Sequence, residues 1–311
     1  MKKKYKLLII AFLLLVCTGC TKQLKDGKTV VTNESTGQSL TANIICKPSD
    51  ENLYNKYEEY DSKLQVSLED LPECKNFTPN KIKYKSLWES IFIKPLAWLI
   101  LKFGYLVKNM GIAVMVIGLI IRLVMLPIQI KTVKQSENMK KAQPAIAKIE
   151  KKYENKTDQD SLMAKSQETM MVYKKYGINP VSGCLLAFIQ LPLFFAFLEA
   201  INRVPAIFEG KFLTMNLGMT PSTGIAQHNY IYIILIILII VSTYLSFKIT
   251  MKGQQNNEMA DQMKTMYTFM ILMIAFASLS LPTAIALYWI VTNAFAVVQQ
   301  LVIKKVIEKR I

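Results

Sequence analysis

The chain has 311 residues, of which 52% are hydrophobic, and its 38 lysines and arginines against 22 acidic residues give a net charge of +16. Several apolar runs approach the roughly 20 residues that a helix needs to cross a bilayer, which excludes a soluble globular fold and indicates an all-α polytopic membrane protein with a basic aqueous face. There is no Cys/His/carboxylate cluster at metal-ligand spacing and no P-loop, G-x-S-x-G or H-E-x-x-H pattern, so we expect no enzyme, metal or cofactor.

Residues 1–20 have the pattern of a secretory signal. Lysines at the start precede a short apolar run, and small residues then lead to a cysteine. The sequence Thr18-Gly19-Cys20 resembles a bacterial lipobox, which implies that residues 1–19 are removed and that Cys20 is lipidated, for example with palmitate, outside the membrane. An uncleaved short anchor is the alternative.

Residues 20–86 are polar and are predicted to be extracellular. From Thr21 to Ala97 the chain has 11 lysines and 11 acidic residues, a neutral balance that is permitted outside the membrane. We expect at most a small, weakly packed subdomain. Cys46 and Cys74 lie in a compartment where a disulfide can form, but their spacing alone leaves their pairing open.

Residues 87–107 are apolar but are interrupted by Lys94, Pro95 and Lys102. This pattern predicts an amphipathic helix that lies in the outer membrane interface and begins near the proline. The alternative is an extension of the first span.

The first span is predicted at 108–130, and it includes the run GIAVMVIGLIIRLVMLPIQI from Gly111 to Ile130. Arg122 lies near its middle, where an arginine costs roughly 2.5 to 3.5 kcal/mol on insertion scales. We therefore expect Arg122 to face a polar cavity inside a helix bundle, with a purely structural ion pair as the alternative.

Residues 131–176 carry 11 lysines and 6 acidic residues and contain no membrane-length apolar run. Apolar residues at helical spacing predict a hairpin of two antiparallel helices, with a kink at Pro144. The lysine excess places this hairpin in the cytoplasm. A solvated face near anionic lipid is the alternative to a docking surface.

The remaining segments alternate between apolar spans and polar connections, and lysines concentrate in the connections that we assign to the cytoplasm. We predict a second span at 181–201, an extracellular loop at 202–229, a third span at 230–247, a cytoplasmic loop at 248–264, a fourth span at 265–281, a fifth at 283–303 and a cytoplasmic tail at 304–311.

Polar residues share one face of several spans. Arg122 and Gln129 share a face of the first span with Gly118, and Trp289, Asn293 and Gln300 share a face of the fifth. Gln190 supplies a polar group at mid-depth in the second. Polar faces on several spans predict a water-accessible cavity at their convergence. The alternative is ordinary interhelical hydrogen bonding, worth about 0.6 kcal/mol for each bond.

Three ordered segments carry a resemblance to a known family. They are IIRLVMLPIQIKTVKQSENMKKAQP, YKKYGINPVSGCLLAFIQLPLFFAFLEAI and LPTAIALYWIVTNAFAVVQQ. Together they resemble the YidC-type membrane protein insertases of the YidC/Oxa/Alb family, in the five-span lipoprotein form of Gram-positive bacteria. The resemblance covers about residues 88–305. It implies five transmembrane helices around a hydrophilic groove that passes nascent segments into the cytoplasmic membrane, without ATP.

The resemblance also implies residue roles and partners. Arg122 and Gln190 match polar groove positions, Trp289 and Gly118 match substrate contacts, and the shared helix face adds Asn293. The implied partners are nascent membrane proteins, the Sec translocon, the ribosome and anionic lipids, but not DNA. The long basic ribosome-binding tail of some relatives is absent here, and Pro282-Thr283-Ala284-Ile285 differs from the Pro-Ala-Gly-Leu of many relatives.

A small transporter for an anionic solute, with Arg122 as counter-ion, is the alternative function. It predicts broken helices or internal repeats around a midplane site, and the two halves of the sequence show no such repeat. A lysine-rich hairpin also has no evident use in a solute carrier, so the insertase is the favoured interpretation.

Overall fold

The computed structural model describes residues 21–82, 86–179, 192–251 and 258–308. This part of the chain is mostly helical, with two short antiparallel strand pairs, β1 (Lys25–Asp26) with β2 (Thr29–Val30) and β3 (Lys211–Phe212) with β4 (Met215–Asn216). Its helices, in chain order, are α1 (Glu51–Glu59), α2 (Lys94–Val107), α3 (Met110–Val124), α4 (Leu126–Lys152), α5 (Gln159–Lys175), α6 (Pro192–Asn202), α7 (Pro205–Phe208), α8 (Pro221–Ala226), α9 (Ile231–Met251), α10 (Glu258–Ala277) and α11 (Thr283–Glu308).

Three of the described helical stretches are long and apolar enough to cross a membrane. They are Glu89–Val107, Ile231–Thr250 and Thr283–Ile307. The bent pair formed by α3 and α4 counts as a fourth if it is one span, and α6 and the stretch Lys264–Ala277 are shorter apolar helices. The fold is therefore that of a helical membrane protein with three or four evident spans among the described residues.

The predicted spans fit these helices unevenly. Those at 230–247 and 283–303 nearly coincide with α9 and α11, whereas the span predicted at 181–201 is described only from Pro192 onward. The segment at 87–107 has the length and apolarity of a span, so its interfacial position stays a prediction.

The first predicted span, 108–130, differs from the structure in one respect. Its helix ends at Val124, and α4 begins at Leu126 after a bend of 60°. Pro127, in the first turn of α4, has no N–H to donate to the carbonyl oxygen one turn earlier, which explains a break at this point. Helix α4 then continues through Pro144 without interruption.

The chain divides into two compact units. The first comprises residues 1–119, 191–238 and 277–291, and the second comprises residues 120–190, 239–276 and 292–311. In the first unit, residues 21–82 form a small domain that we call the cap. In the second unit, α4 and α5 form a helical hairpin.

The cap is more tightly packed than we expected from its polar sequence. Leu24, Leu40 and Ile45 are fully buried, and a disulfide joins Cys46 to Cys74. Helix α1 begins with an N-cap at Asp50, whose carboxylate accepts a hydrogen bond from the backbone N–H of Leu53 at 2.9 Å. Burial of Tyr57 in the same core raises the pKa of its hydroxyl to about 12.

The hairpin has a small core of its own. Ala142 and Ile146 of α4 pack with Ile178, and Met139, Val172, Tyr173 and Tyr176 surround them. At the tip, Glu168 accepts hydrogen bonds from Lys152 at 2.5 Å and from the Tyr153 hydroxyl at 2.9 Å. These two donors lower the pKa of Glu168 below its ordinary value.

Candidate functional site

A cavity of about 260 Å³, lined by both polar and apolar side chains, lies in the second unit. Side chains from α3, α4, α9 and α11 line it. Its polar and charged lining residues are Arg122, Gln129, Thr132, Ser136, Glu137, Lys140, Thr250, Gln300 and Lys304. The structure therefore places Arg122 beside a space that can hold water or a polar ligand.

Arg122 lies in the last turn of α3 and is half-buried. At the bend that follows, its carbonyl oxygen accepts a hydrogen bond from the Nε2 of Gln299, at 3.4 Å. Gln299 is itself buried on α11, and Gln129 is buried on α4. Amide side chains from two other helices thus lie where the bend at Met125 interrupts the regular helical hydrogen bonding.

The cavity lining has a surplus of positive charge. Arg122, Lys140 and Lys304 line it together with one carboxylate, that of Glu137. Glu137 pairs with Lys140 one helical turn away, at 2.5 Å. Three cationic side chains against one carboxylate give the lining a net positive charge, so the site favours carboxylates, phosphates and other anions over cations.

A hydrogen-bonded pair forms part of the opposite wall. The Nε2 of Gln300 on α11 donates to the hydroxyl oxygen of Thr250 on α9 at 3.0 Å, and that hydroxyl donates to the carbonyl oxygen of Ser246 at 2.8 Å. The pair joins two membrane-length helices beside the cavity.

Several lining residues were absent from our predicted site. Gln129 and Gln300 lie on the polar faces that the sequence indicated, but Thr132, Ser136 and Lys140 belong to the segment that we assigned to the hairpin. With Gln129 they follow helical spacing, so they continue the face that Arg122 begins. Extending the polar face past Ile130 would have found them.

Trp289 belongs to the first unit and is described there. It is half-buried on α11, and the ring of Phe194 on α6 meets it edge to face, with 4.8 Å between centroids. Beside this pair, Phe197 stacks on Tyr288 at 4.0 Å. We call these four side chains the aromatic wall. Phe197 and Tyr288 are buried, whereas Phe194 and Trp289 are half-buried and offer an apolar surface of the kind that contacts hydrophobic side chains.

The other predicted site residues are placed as follows. Gly118 is buried in α3 in the first unit, and Asn293 is half-buried on α11 in the second. Gln190 and the lipidation residue Cys20 lie outside the described residues. Within residues 21–82, 86–179, 192–251 and 258–308, no three His, Cys, Asp or Glu residues form a group that could hold a metal ion.

Comparison with known proteins identifies the family. Residues 102–310 match the family model described as 60Kd inner membrane protein. The chain is 36% identical over 223 residues to a protein named membrane protein insertase YidC 2 from Bacillus anthracis, covering 71% of this chain and 83% of that protein. It is also 35% identical over 218 residues to membrane protein insertase MisCA of Bacillus subtilis, covering 70% of this chain and 79% of that relative.

A third relative agrees with these two. Membrane protein insertase YidC of Oceanobacillus iheyensis is 36% identical over 233 residues, which are 73% of this chain and 86% of the relative. The matched region contains the arginine cavity, the hairpin and the aromatic wall, whereas the cap precedes the residues that the family model matches. The chain belongs to the 60Kd inner membrane protein family, that of the YidC-type membrane protein insertases.

Proposed function

We propose that the protein is a membrane protein insertase and foldase, which passes nascent hydrophobic segments into the cytoplasmic membrane through a hydrophilic groove. The observation that carries this proposal is the cation-rich polar cavity beside Arg122, formed by apolar helices of membrane length or nearly so. Such a cavity has little use in a protein that only anchors other molecules, because each buried charge costs free energy.

The physical need for the cavity comes from the polar parts of the client. A chain end or loop that crosses lipid leaves backbone groups without hydrogen-bond partners, at several kcal/mol for each group. A wet, polar cavity shortens the path through hydrocarbon, and Arg122 provides a temporary partner for acidic side chains in the translocated tail. Removal of apolar surface from water contributes roughly 25 cal/mol for each Å². The segment therefore leaves when lipid stabilises its apolar surface more than the protein does.

The substrate contacts that we propose are Arg122, Gln190, Trp289, Gly118 and Asn293. Arg122 acts as a charge partner, and the rings around Trp289 contact the apolar part of the client. No step makes or breaks a covalent bond, so the function needs no catalytic residue, and the family resemblance implies that it needs no ATP. The protein acts alone or beside the Sec translocon, and the lysine-rich hairpin faces anionic lipids and, during synthesis, the ribosome.

The membrane arrangement that we propose has five spans. The bent pair of α3 and α4, Ile231–Thr250 and Thr283–Ile307 supply three of them, and α6 and the stretch Lys264–Ala277, which are apolar but short as described, support the other two. Glu89–Val107 is then the interfacial helix rather than a sixth span. The lipidated Cys20 and the cap lie outside, and the hairpin and the tail lie inside, where the lysines concentrate.

Complementation of an insertase-depleted bacterial strain tests this function. Expression of the wild-type chain is expected to restore growth and the insertion of a short client, measured by protease protection of its translocated tail. Failure of the wild-type chain to restore insertion, together with altered uptake of an anionic solute, would instead establish the transporter alternative.

A further inference from the structure

A buried cluster of charges lies at the carboxyl end of α6, within the first unit. The guanidinium of Arg203 is 1% exposed and donates to a carboxylate oxygen of Glu89 and to one of Glu199, both at 2.7 Å. Glu89 lies in the turn that leads into α2, and Glu199 lies on α6 itself. Separating a buried ion pair leaves an uncompensated charge, which is strongly destabilising. These three side chains are therefore held together.

The cap contributes a third partner to the same guanidinium. With its amide oxygen directed at Arg203, Asn43 accepts hydrogen bonds from Nη2 at 2.9 Å and from Nε at 3.2 Å. The backbone N–H of Ile45 donates to the Arg203 carbonyl oxygen at 3.0 Å, and the Thr41 hydroxyl donates to the carbonyl oxygen of Asn202 at 3.0 Å. A single cap segment therefore holds the carboxyl end of α6 through side chains and backbone together.

A second line of contacts joins the cap to the connection between α6 and α9. The backbone N–H of Thr220 donates to the carbonyl oxygen of Thr36 at 2.8 Å, and the Glu209 carboxylate accepts from the backbone N–H of Ser49 at 2.7 Å. Gly37 has a φ of 72°, and a β-carbon there would lie 2.1 Å from the hydroxyl oxygen of Thr223. The contact at Gly37 thus requires the absence of a side chain.

Helix α6 connects these contacts to the aromatic wall. Its 11 residues extend for about 16 Å. Phe194 and Phe197, which belong to α6, meet Trp289 and Tyr288 of α11. A shift of the end of α6 held by the cap therefore displaces two rings of the wall.

We infer that the cap is a positioning domain, which holds α6 through Arg203 and so fixes the aromatic wall against which client segments pass. This inference rests on the proposed function, and it gives a role to residues that precede the family match. Arg203 is the positioning residue, since it joins the cap, α2 and α6 at one buried point.

The first test compares two glycine substitutions in the full-length protein. Gly37→Ala places a methyl group against Thr223, whereas Gly27→Ala creates the same backbone strain, at a φ of 58°, with nothing within 4 Å. We expect hydrogen exchange in α6 and in residues 283–291 to increase in Gly37→Ala and to remain at the wild-type level in Gly27→Ala. Equal exchange in both variants would overturn the inference, whether or not the protein is an insertase.

The second test follows the client. A photo-crosslinking amino acid at position 289 reports on the aromatic wall, and one at position 129 reports on the arginine cavity. In Gly37→Ala and in Arg203→Met we expect the yield of client crosslinks at position 289 to fall by about fivefold, a size typical of substitutions that act on a site without contacting it. The yield at position 129 is expected to stay unchanged.

The possible outcomes distinguish a failure of the positioning role of the cap from a failure of the proposed function. A parallel loss at both positions in Gly37→Ala would show a general folding defect and would overturn the positioning role. Wild-type yields at both positions in the two variants would overturn it as well. Absence of any client crosslink in the wild-type protein would contradict the proposed function, while the hydrogen-exchange comparison would still test the role of the cap.

Discussion

A guanidinium within an apolar helix is stable only where water or polar groups surround it, and Arg122 satisfies this condition by its position at the end of α3. The bend after Val124 exposes the carbonyl of Arg122 to Gln299, and the cavity lies beside its side chain. At the residue scale, the break in the helix and the polar site are therefore one feature.

The bond between Gln300 and Thr250 gives a prediction at this scale. Gln300→Leu removes the 3.0 Å hydrogen bond between α9 and α11, and interhelical bonds of this kind contribute about 0.6 kcal/mol in membranes. We expect a loss of this size in the free energy of unfolding in bicelles, with the exposed Val302→Ala as control. A loss above about 2 kcal/mol would show that Gln300 supports more than this contact.

Helical spacing predicted that Arg122 and Gln129 share one face of their span, and both line the cavity together with Gln300. The same spacing did not predict the end of the span. An apolar run that continues to Ile130 resembles one helix, and Pro127 is equally compatible with a kink or with the first turn of a new helix. Only the fold around Met125 decides between them.

At the element scale, the hairpin is a separate folding unit whose core is small. Ile146 is 3% exposed and packs with Ala142 and Ile178. Ile146→Ala removes three carbon atoms from this core, and we expect a loss of about 2 to 5 kcal/mol in hairpin stability. Limited proteolysis of inside-out vesicles measures this loss as faster cleavage within residues 126–179.

Met171→Ala is the matched control for this prediction, because Met171 lies on the same hairpin and is 60% exposed. Cleavage of Met171→Ala should follow the wild type. If Ile146→Ala resisted protease as well as the wild type does, the contacts around Ile146 would not be what holds the two helices together.

The tip of the hairpin gives a pH prediction. Because Lys152 and Tyr153 lower the pKa of Glu168, this carboxylate stabilises the folded tip above its ordinary pKa of 4.5, and the contribution disappears as the pH falls through the lowered value. Glu168→Gln removes this dependence. We expect hydrogen exchange at the tip, corrected for its intrinsic rate, to rise on acidification in the wild type and to be high already at neutral pH in Glu168→Gln. An exchange rate in Glu168→Gln that equals the wild-type rate at neutral pH would contradict this assignment.

The cap shows what the sequence could not predict at the element scale. Its strands have two residues each, and its tertiary contacts link residues far apart, such as Thr41 with Asn202. Short strands and turns leave no periodic pattern, so a polar composition suggested weak packing. The lysine excess of the hairpin and its apolar spacing, in contrast, are local signals, and they predicted two helices within residues 131–176.

At the scale of the whole molecule, topology is the main prediction. We expect a cysteine at His228 to react with a membrane-impermeant maleimide in intact cells, and a cysteine at Lys156 to react only after permeabilisation. Both side chains are exposed, so a difference in labelling reports their side of the membrane rather than their burial. Both cysteines are introduced into a Cys184→Ser background. Labelling of both positions in intact cells would contradict the five-span arrangement.

The central claim is that the positive charge of Arg122 assists the passage of acidic client tails. The most direct measurement is the insertion of a single-span client into liposomes that contain the purified protein, with either acidic or neutral residues in the client's translocated tail. For the acidic tail, we expect Arg122→Lys to retain insertion and Arg122→Ala to lose about tenfold, or about 1.4 kcal/mol, while the neutral tail is inserted equally by all three proteins. Equal insertion of the acidic tail by Arg122→Ala and the wild type would contradict the claim.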